Sequence, residues 1–114
     1  MKAFAYVNAA NQAEAVAAMA TAARGKTMAL AGGMDLISLM KDYVAQPDVL
    51  VNVKKLSATI TAPTQGLTVI GAATKLADLA EHSALQKSYP AFTDAALSVG
   101  TPQIRNAGTV GGNL

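Results

Sequence analysis

The stretch that decides the fold is Thr27-Met28-Ala29-Leu30-Ala31-Gly32-Gly33-Met34-Asp35-Leu36. The short apolar run over 27–31 lies between Gly25 and Gly32-Gly33, a pattern that predicts a buried strand. Residues 35–43 then carry apolar side chains at helical spacing, so the two glycines connect a strand to a helix. Glycines at such a junction let the backbone approach a ligand, and unpaired N–H groups at a helix start can bind an anion. A Gly-Gly turn without any ligand is the alternative, because short glycine motifs are weakly specific.

Strand and helix patterns also flank this stretch. Alternating apolar residues over 2–7 predict a strand, and β-branched residues over 49–53 predict another. Between the first of these strands and Gly25, a helix is predicted over 12–24. Asn11 serves as its N-cap, with Glu14 at the spacing of a capping box. The first half of the chain therefore runs strand, helix, strand, helix, strand.

The second half is predicted to be more helical. Short strands are predicted around 59–61 and over 67–71, joined by a turn. Thr74 is expected to cap a helix over 75–81, a helical turn follows over 83–89, and Pro90 opens a helix to about residue 99. After Gly100, the pair Thr101-Pro102 is expected to keep the chain extended.

Composition excludes several classes of protein. With 52% hydrophobic and 14% charged residues the chain is not intrinsically disordered, and its 114 residues predict one small domain at most. The absence of cysteine removes disulfides, thiolate zinc sites and Cys-ligated iron–sulfur clusters from these residues, and it fits a cytoplasmic protein. Apart from the Lys54-Lys55 pair, the nine Lys and Arg residues are scattered singly, so nucleic-acid binding is not expected. The apolar runs are far shorter than the ~20 residues of a membrane-spanning helix, and the N-terminus does not resemble a signal peptide.

A second glycine-rich segment, Thr109-Val110-Gly111-Gly112-Asn113, lies near the end of the sequence. Its Thr and Asn side chains can donate hydrogen bonds, and its glycines allow close backbone contact with a ligand. A simple turn between two elements is the alternative. Neither glycine segment has the Gly-Lys-Ser/Thr ending of a P-loop or the three-glycine dinucleotide fingerprint. Because the chain stops beside this segment, we expect a fragment of a longer protein.

Groups able to catalyse a reaction are few. His82 is the only histidine and is expected at a surface helix end. Asp35 is interpreted as a residue that satisfies free N–H groups at a helix start, with a direct catalytic part as the alternative. Arg105 can pair with a phosphate or a partner protein, or it can anchor its loop to backbone carbonyls. No metal-ligand cluster or nucleophile triad is apparent. Redox or transfer chemistry would therefore have to come from a bound cofactor.

Both glycine segments together resemble a known family. Ala31-Gly32-Gly33-Met34-Asp35-Leu36, followed by Thr101-Pro102-Gln103-Ile104-Arg105-Asn106-Ala107-Gly108-Thr109-Val110-Gly111-Gly112-Asn113-Leu114, is similar to the FAD-binding (medium) subunit of molybdenum hydroxylases. That group includes xanthine dehydrogenase and carbon monoxide dehydrogenase. Phe4-Ala5-Tyr6, Leu39-Met40-Lys41 and Ile70-Gly71-Ala72 also resemble it. The similarity covers the sequence in order from end to end.

The resemblance implies an α/β (α+β) fold, the FAD-binding domain of the vanillyl-alcohol-oxidase (PCMH) type. Residues 1–114 would be its truncated N-terminal part, without the remainder of the domain or the C-terminal domain. It also implies that the first loop holds the FAD pyrophosphate through its backbone and that the second closes over the cofactor. Met34 departs from the family, which commonly has Thr there. The cofactor-binding residues implied are Leu30, Ala31, Gly32, Gly33, Met34, Asp35, Thr109, Gly111, Gly112 and Asn113, with no catalytic residue and no metal ligand.

The function implied by the resemblance is that of an oxidoreductase subunit. Electrons would pass from a molybdenum cofactor on a large partner subunit, through [2Fe-2S] clusters on a small partner subunit, to FAD on this chain. FAD would then reduce an external acceptor, NAD⁺ or oxygen. Two alternatives stay open: another flavoprotein of the same fold, similar to UDP-N-acetylenolpyruvoylglucosamine reductase, and a nucleotide-binding module without redox chemistry. The stretch Gln103-Ile104-Arg105-Asn106 argues against the reductase.

Overall fold

A computed structural model of the chain describes residues 1–20, 23, 25–61 and 64–114. The chain divides into two compact units, Met1–Leu56 and Ser57–Leu114. Its length alone predicts one small domain. The first unit contains a three-stranded sheet and two helices. Among the described residues, none of the helices combines the length and the apolar character that a membrane crossing requires.

The first unit is a parallel α/β layer structure. Its elements are β1 (Ala5–Asn8), α1 (Gln12–Ala20), β2 (Thr27–Leu30), α2 (Met34–Lys41) and β3 (Val49–Asn52). The strands lie in the order β1-β3-β2, and both pairings are parallel. All three predicted strands and both predicted helices are confirmed, with ends that differ by a few residues. Positions 21, 22 and 24, in the last part of the predicted first helix, lie outside the described residues.

The central strand β3 is buried on both faces of the sheet. Leu50 and Val51 are both 0% exposed, and neighbouring residues of a strand point to opposite faces. Val51 packs in a cluster with Ala9 and Ala15 on the side of α1. Leu50 packs with Leu30 and Met40 on the side of α2. A short apolar run therefore forms the middle of a sheet that has one helix on each face.

An ion-pair group lies at the amino ends of the three strands. Asp48 precedes β3, and its carboxylate pairs with the ammonium groups of Lys2, before β1, and Lys26, before β2. The Asp48 amide also donates to the Lys26 carbonyl at 2.8 Å, and the Asp48 carbonyl accepts from Ala5 at 2.8 Å. The hydrogen bond from Lys2, together with the two positive charges, lowers the pKa of Asp48 below its ordinary value of 3.8, against an opposing effect of burial. These contacts join the three chain segments at this edge of the sheet.

Helices make up most of the second unit. They are α3 (Leu76–Glu81), α4 (Ser83–Ser88), α5 (Pro90–Leu97), α6 (Pro102–Ala107) and α7 (Val110–Asn113). Leu79, Ala80, Leu85 and Ala96 form the core, against which Ile60, Ile70 and Val110 pack. The predicted helices over 75–81, 83–89 and 90–99 are confirmed.

Three local expectations for the second unit are wrong. The predicted strands at 59–61 and 67–71 form only isolated antiparallel bridges, Ile60 with Ile70 and Thr64 with Leu67. Thr101-Pro102 does not continue as extended chain, because the fixed φ of proline also suits the first turn of a helix. Pro102 opens α6, and the Thr101 hydroxyl caps it by accepting from the Ile104 amide at 3.3 Å. Thr74 does not cap α3, whose N-cap is Lys75.

Candidate cofactor-binding loops

The first glycine loop connects the carboxyl end of β2 to α2. Gly33 has φ +76°, a left-handed conformation that residues with a Cβ adopt at a cost. A Cβ at this position would lie 3.2 Å from both the Ile37 Cγ1 and the Leu30 Cδ1. The backbone geometry of the loop therefore requires glycine at residue 33, as expected for a tight strand-to-helix connection.

The N-terminus of α2 is open. Gly33 is its N-cap, and no side chain among the described residues caps it. The first amide of the helix with an intrahelical acceptor is that of Ile37, which donates to the Gly33 carbonyl at 3.0 Å. The amides of Met34, Asp35 and Leu36 precede it and have no such acceptor. The interpretation of Asp35 as a cap is wrong, because Gly33 occupies the cap position and Asp35 lies exposed inside the first turn.

Helix α1 starts at the same edge of the sheet, after the carboxyl end of β1, and side chains cap its N-terminus. The Asn11 Oδ1 accepts from the Glu14 amide at 2.9 Å, and the Glu14 Oε2 accepts from the Ala10 amide at 2.8 Å. The predicted capping box is therefore confirmed. Of the two helices that begin at this edge, α1 has a side-chain acceptor for its Glu14 amide, whereas among the described residues no side chain caps the first turn of α2. The uncapped amides of α2 are available for an anion.

The second glycine segment has the opposite character. Thr109 is 6% exposed, and its hydroxyl caps the single turn of α7 by accepting from the Gly112 amide at 3.3 Å. Val110 donates to the Thr74 carbonyl and Gly111 to the Ala72 carbonyl, both at 2.9 Å. Asn113 donates to the Thr109 carbonyl at 3.1 Å. Every backbone amide from 110 to 113 therefore has an acceptor within the chain, and this segment offers a ligand side chains and glycine surfaces rather than free amides.

Close packing within the unit accounts for Gly111. A Cβ on this residue would lie 2.9 Å from the Ala72 Cβ and 3.1 Å from the Ala72 carbonyl oxygen. The sequence predicts that this glycine admits a cofactor, and the structure supplies a second reason for it. A side chain here would push the segment off the backbone to which it is hydrogen-bonded.

Arg105 and His82 both have local structural roles. The Arg105 Nη1 donates to the carbonyls of Val99 and Gly100, at 3.1 Å and 3.3 Å. Of the alternatives for Arg105, anchoring to backbone carbonyls is therefore the one observed. The His82 Nδ1 accepts from the Leu85 amide at 3.4 Å, so this histidine ends α3 and caps α4. The described residues contain no group of three or more His, Cys, Asp or Glu side chains that could hold a metal ion.

Sequence reasoning missed a basic turn beside the first loop. Lys54 and Lys55 lie two and three residues after the end of β3, whose partner on one side is β2. The charged pair is visible in the sequence, but its position next to Gly32-Gly33 depends on the strand order. The two glycine segments themselves belong to different units, and the expectation that the second closes over a cofactor held by the first stays a prediction.

Comparison with known proteins identifies the family. Residues 2–114 match the family described as "FAD binding domain in molybdopterin dehydrogenase". The chain belongs to this family. The resemblance seen in the two glycine segments is therefore confirmed, and FAD is the cofactor that the family binds.

Relatives and solved structures agree with this family. The chain is 38% identical over 86 residues to the nicotinate dehydrogenase FAD-subunit of Eubacterium barkeri, covering 75% of this chain and 29% of the relative. It is 35% identical over 111 residues to the xanthine dehydrogenase FAD-binding subunit of Escherichia coli O157:H7, covering 96% and 37%. A structure of carbon monoxide dehydrogenase from Hydrogenophaga pseudoflava matches with TM-score 0.89 and 33% identity, covering 96% of this chain and 38% of that one. The reconstituted enzyme from Oligotropha carboxidovorans matches with TM-score 0.90 and 33% identity, covering 97% and 39%.

These matches confirm the mixed α/β fold of the family's FAD-binding domain, since they span nearly the whole of this chain. The chain itself spans roughly a third of the length of the relatives it matches. The family also fits the donor groups of the first loop. Open amides at a helix N-terminus, preceded by a left-handed glycine, suit the pyrophosphate of a dinucleotide.

Proposed function

We propose that this chain binds FAD within the FAD-binding subunit of a molybdenum hydroxylase, and that the first glycine loop holds the FAD pyrophosphate. The open N-terminus of α2 is the observation that carries the proposal. It lies at the carboxyl edge of a parallel sheet, the edge at which open α/β sheets bind their ligands. The side-chain cap of α1 at the same edge supports the choice of α2 as the helix that binds the anion.

Each predicted site residue would then have a definable part. Leu30 ends the strand, and the loop over Ala31, Gly32 and Gly33 brings the backbone to the phosphates. The amides of Met34 and Asp35 would donate to phosphate oxygens. Having Met34 in place of the family's common Thr would therefore remove only a side-chain contact from the hydroxyl. In the second segment, the Asn113 carboxamide and the surfaces of Gly111 and Gly112 would contact the cofactor, and Thr109 would keep their turn in shape.

The chain's own task would be to bind and orient the flavin. Bound FAD would supply the two-electron chemistry that links one-electron iron–sulfur carriers to an external acceptor. We propose that a large molybdenum-binding subunit and a small iron–sulfur subunit are the partners, and that NAD⁺ or oxygen is the acceptor in the cytoplasm. One relative is the carbon monoxide dehydrogenase medium chain of Hydrogenophaga pseudoflava, and a medium chain by its name belongs to an assembly of several chains, which supports this proposal.

Two glycines that bracket β2 provide a matched test. Gly33 and Gly25 have nearly the same φ, +76° and +80°, but Gly25 precedes the strand and Gly33 follows it. Replacing either by alanine imposes a similar backbone strain of about 1–2 kcal/mol. The Cβ at residue 33 would also lie 3.2 Å from two side-chain carbons, whereas at residue 25 it would meet nothing within 4 Å, so the unfolding midpoint of each variant is measured beside its FAD affinity. We expect Gly33→Ala in the full-length polypeptide to weaken FAD binding at least tenfold and Gly25→Ala to leave it unchanged, as measured by quenching of flavin fluorescence.

The outcomes separate this proposal from its alternatives. Equal affinities of the two variants for FAD would remove the first loop from the site. A wild-type protein that binds ADP but leaves flavin fluorescence unquenched would instead support a nucleotide-binding module without redox chemistry.

A further inference from the structure

We propose that Lys54 and Lys55 form a basic turn that binds the phosphates of the dinucleotide held at the Gly32-Gly33 loop. The inference rests on the proposed function, because it adds residues to the same site. It assigns a role to a charged pair that lies outside both glycine motifs.

The backbone places this turn beside the glycine loop. Asn52 is the partner of Leu30 in the register of β3 and β2, and the Val53 amide donates to the Leu30 carbonyl at 3.0 Å. The two chains therefore run side by side to the end of β2, about 4.8 Å apart. The lysines come one and two residues after Val53, just as the neighbouring chain enters Gly32-Gly33. That separation is within the reach of a lysine side chain.

The turn has a defined conformation. The Leu56 amide donates to the Val53 carbonyl at 3.1 Å, which makes the two lysines the central residues of a four-residue turn. The Asn52 Oδ1 accepts from the Lys54 amide at 3.0 Å, and the Asn52 Nδ2 donates to the Asn8 Oδ1 at 2.8 Å. Asn52 is therefore a positioning residue that ties the start of the turn to the end of β1. Both lysine side chains are exposed.

The charges at the two edges of the sheet are arranged differently. At the amino edge, Lys2 and Lys26 share the Asp48 carboxylate. At the carboxyl edge, Lys54 and Lys55 form no ion pair with any described residue. Two unpaired cations in neighbouring positions raise the local concentration of an anion and oppose its release.

The carboxylates at the carboxyl edge indicate why cations would be needed there. Glu14 is engaged by its capping hydrogen bonds, whereas Asp35 is exposed in the first turn of α2, beside the amides that would meet a phosphate. The negative charge of Asp35 repels a pyrophosphate that carries the same sign. Lys54 and Lys55 would offset this repulsion, so the open helix terminus could accept a dianion despite its acidic neighbour.

The test uses the full-length polypeptide freed of flavin, with FAD as the titrant. We expect Lys54→Gln and Lys55→Gln each to raise the FAD dissociation constant about three- to tenfold at low salt, with a larger effect of the double variant. The dependence of affinity on ionic strength should also become weaker in the double variant. Lys41→Gln is the matched control. It also removes one positive charge, but from the last turn of α2, about 10 Å from the N-terminus at which the phosphate would bind.

Charge-conserving variants keep the test independent of folding. Lys54→Arg together with Lys55→Arg should retain affinity within about twofold. The proposal is overturned by a double Gln variant that binds FAD with wild-type affinity and salt dependence, or by an equal loss in Lys41→Gln. Neither result bears on the proposed role of the glycine loop. A wild-type protein that binds no FAD would instead refute the proposed function and this proposal together.

Discussion

Adding a single methyl group at Gly111 tests whether this glycine serves packing or ligand access. In Gly111→Ala the new Cβ would lie 2.9 Å from the Ala72 Cβ, about half an ångström closer than an ordinary contact, and 3.1 Å from the Ala72 carbonyl oxygen. The segment would have to move away and lengthen the hydrogen bond from the Gly111 amide to that carbonyl, now 2.9 Å. Overpacking of this kind costs about 1–3 kcal/mol of the free energy of unfolding.

The assay is urea unfolding of the flavin-free full-length polypeptide, followed by circular dichroism. Gly111→Ala should lower the unfolding midpoint, and adding Ala72→Gly should recover part of the loss because the closest atom is gone. Gly112→Ala is the control, since its Cβ would meet only the Thr109 Oγ1, at 3.2 Å. Unchanged stability of Gly111→Ala, combined with a loss of FAD affinity, would refute the packing explanation and return Gly111 to the role predicted from sequence.

Two further predictions concern the first unit. Because the pKa of Asp48 is lowered in the folded protein, its pairing with Lys2 and Lys26 contributes stability above the ordinary carboxyl pKa of 3.8, and that contribution is lost as pH falls through the folded value. Urea titrations from pH 7 to pH 3 should therefore show a smaller loss of stability on acidification in Asp48→Asn than in wild type, and parallel losses would contradict the ion-pair assignment. Asn11→Ala should cost about 1 kcal/mol of unfolding free energy, because the Glu14 amide loses its acceptor, with no change in FAD affinity. A weakened affinity in that variant would show that the N-terminus of α1 takes part in the site.

Motifs made of a few neighbouring residues predicted the local structure correctly. Asn11 with Glu14 located the start of α1, and Pro90 located the start of α5. The glycine pair predicted the connection of β2 to α2, because a left-handed residue is needed there whatever the rest of the chain does. These features depend on local backbone geometry, which is determined by residues close together in the sequence.

Predictions failed where one local rule competed with another. Thr101-Pro102 satisfies both the rule that keeps the residue before proline extended and the rule that places proline in a first helical turn. The structure shows that both hold, with Thr101 extended as the cap and Pro102 in the helix. Thr74 is 1% exposed and its hydroxyl has no partner among the described residues, so its burial was set by packing rather than by capping.

The candidate site was predictable only in part. The two glycine segments stand out in the sequence, but the difference between them does not: one has free amides and the other has its amides bonded to Thr74, Ala72 and Thr109. The same holds for the basic turn, because sequence alone does not state that β3 lies beside β2. Both features depend on contacts between residues that are distant along the chain.

The amide of Met34 reports most directly on the central claim, that the pyrophosphate of FAD lies at the N-terminus of α2. The full-length polypeptide labelled with ¹⁵N-methionine would be titrated with FAD, the Met34 signal being assigned through Met34→Leu. We expect a large shift for Met34, and small ones for Met40, near the far end of the same helix, and for Met19, near the end of α1. A Met34 signal that stays in place while FAD binds would contradict the account.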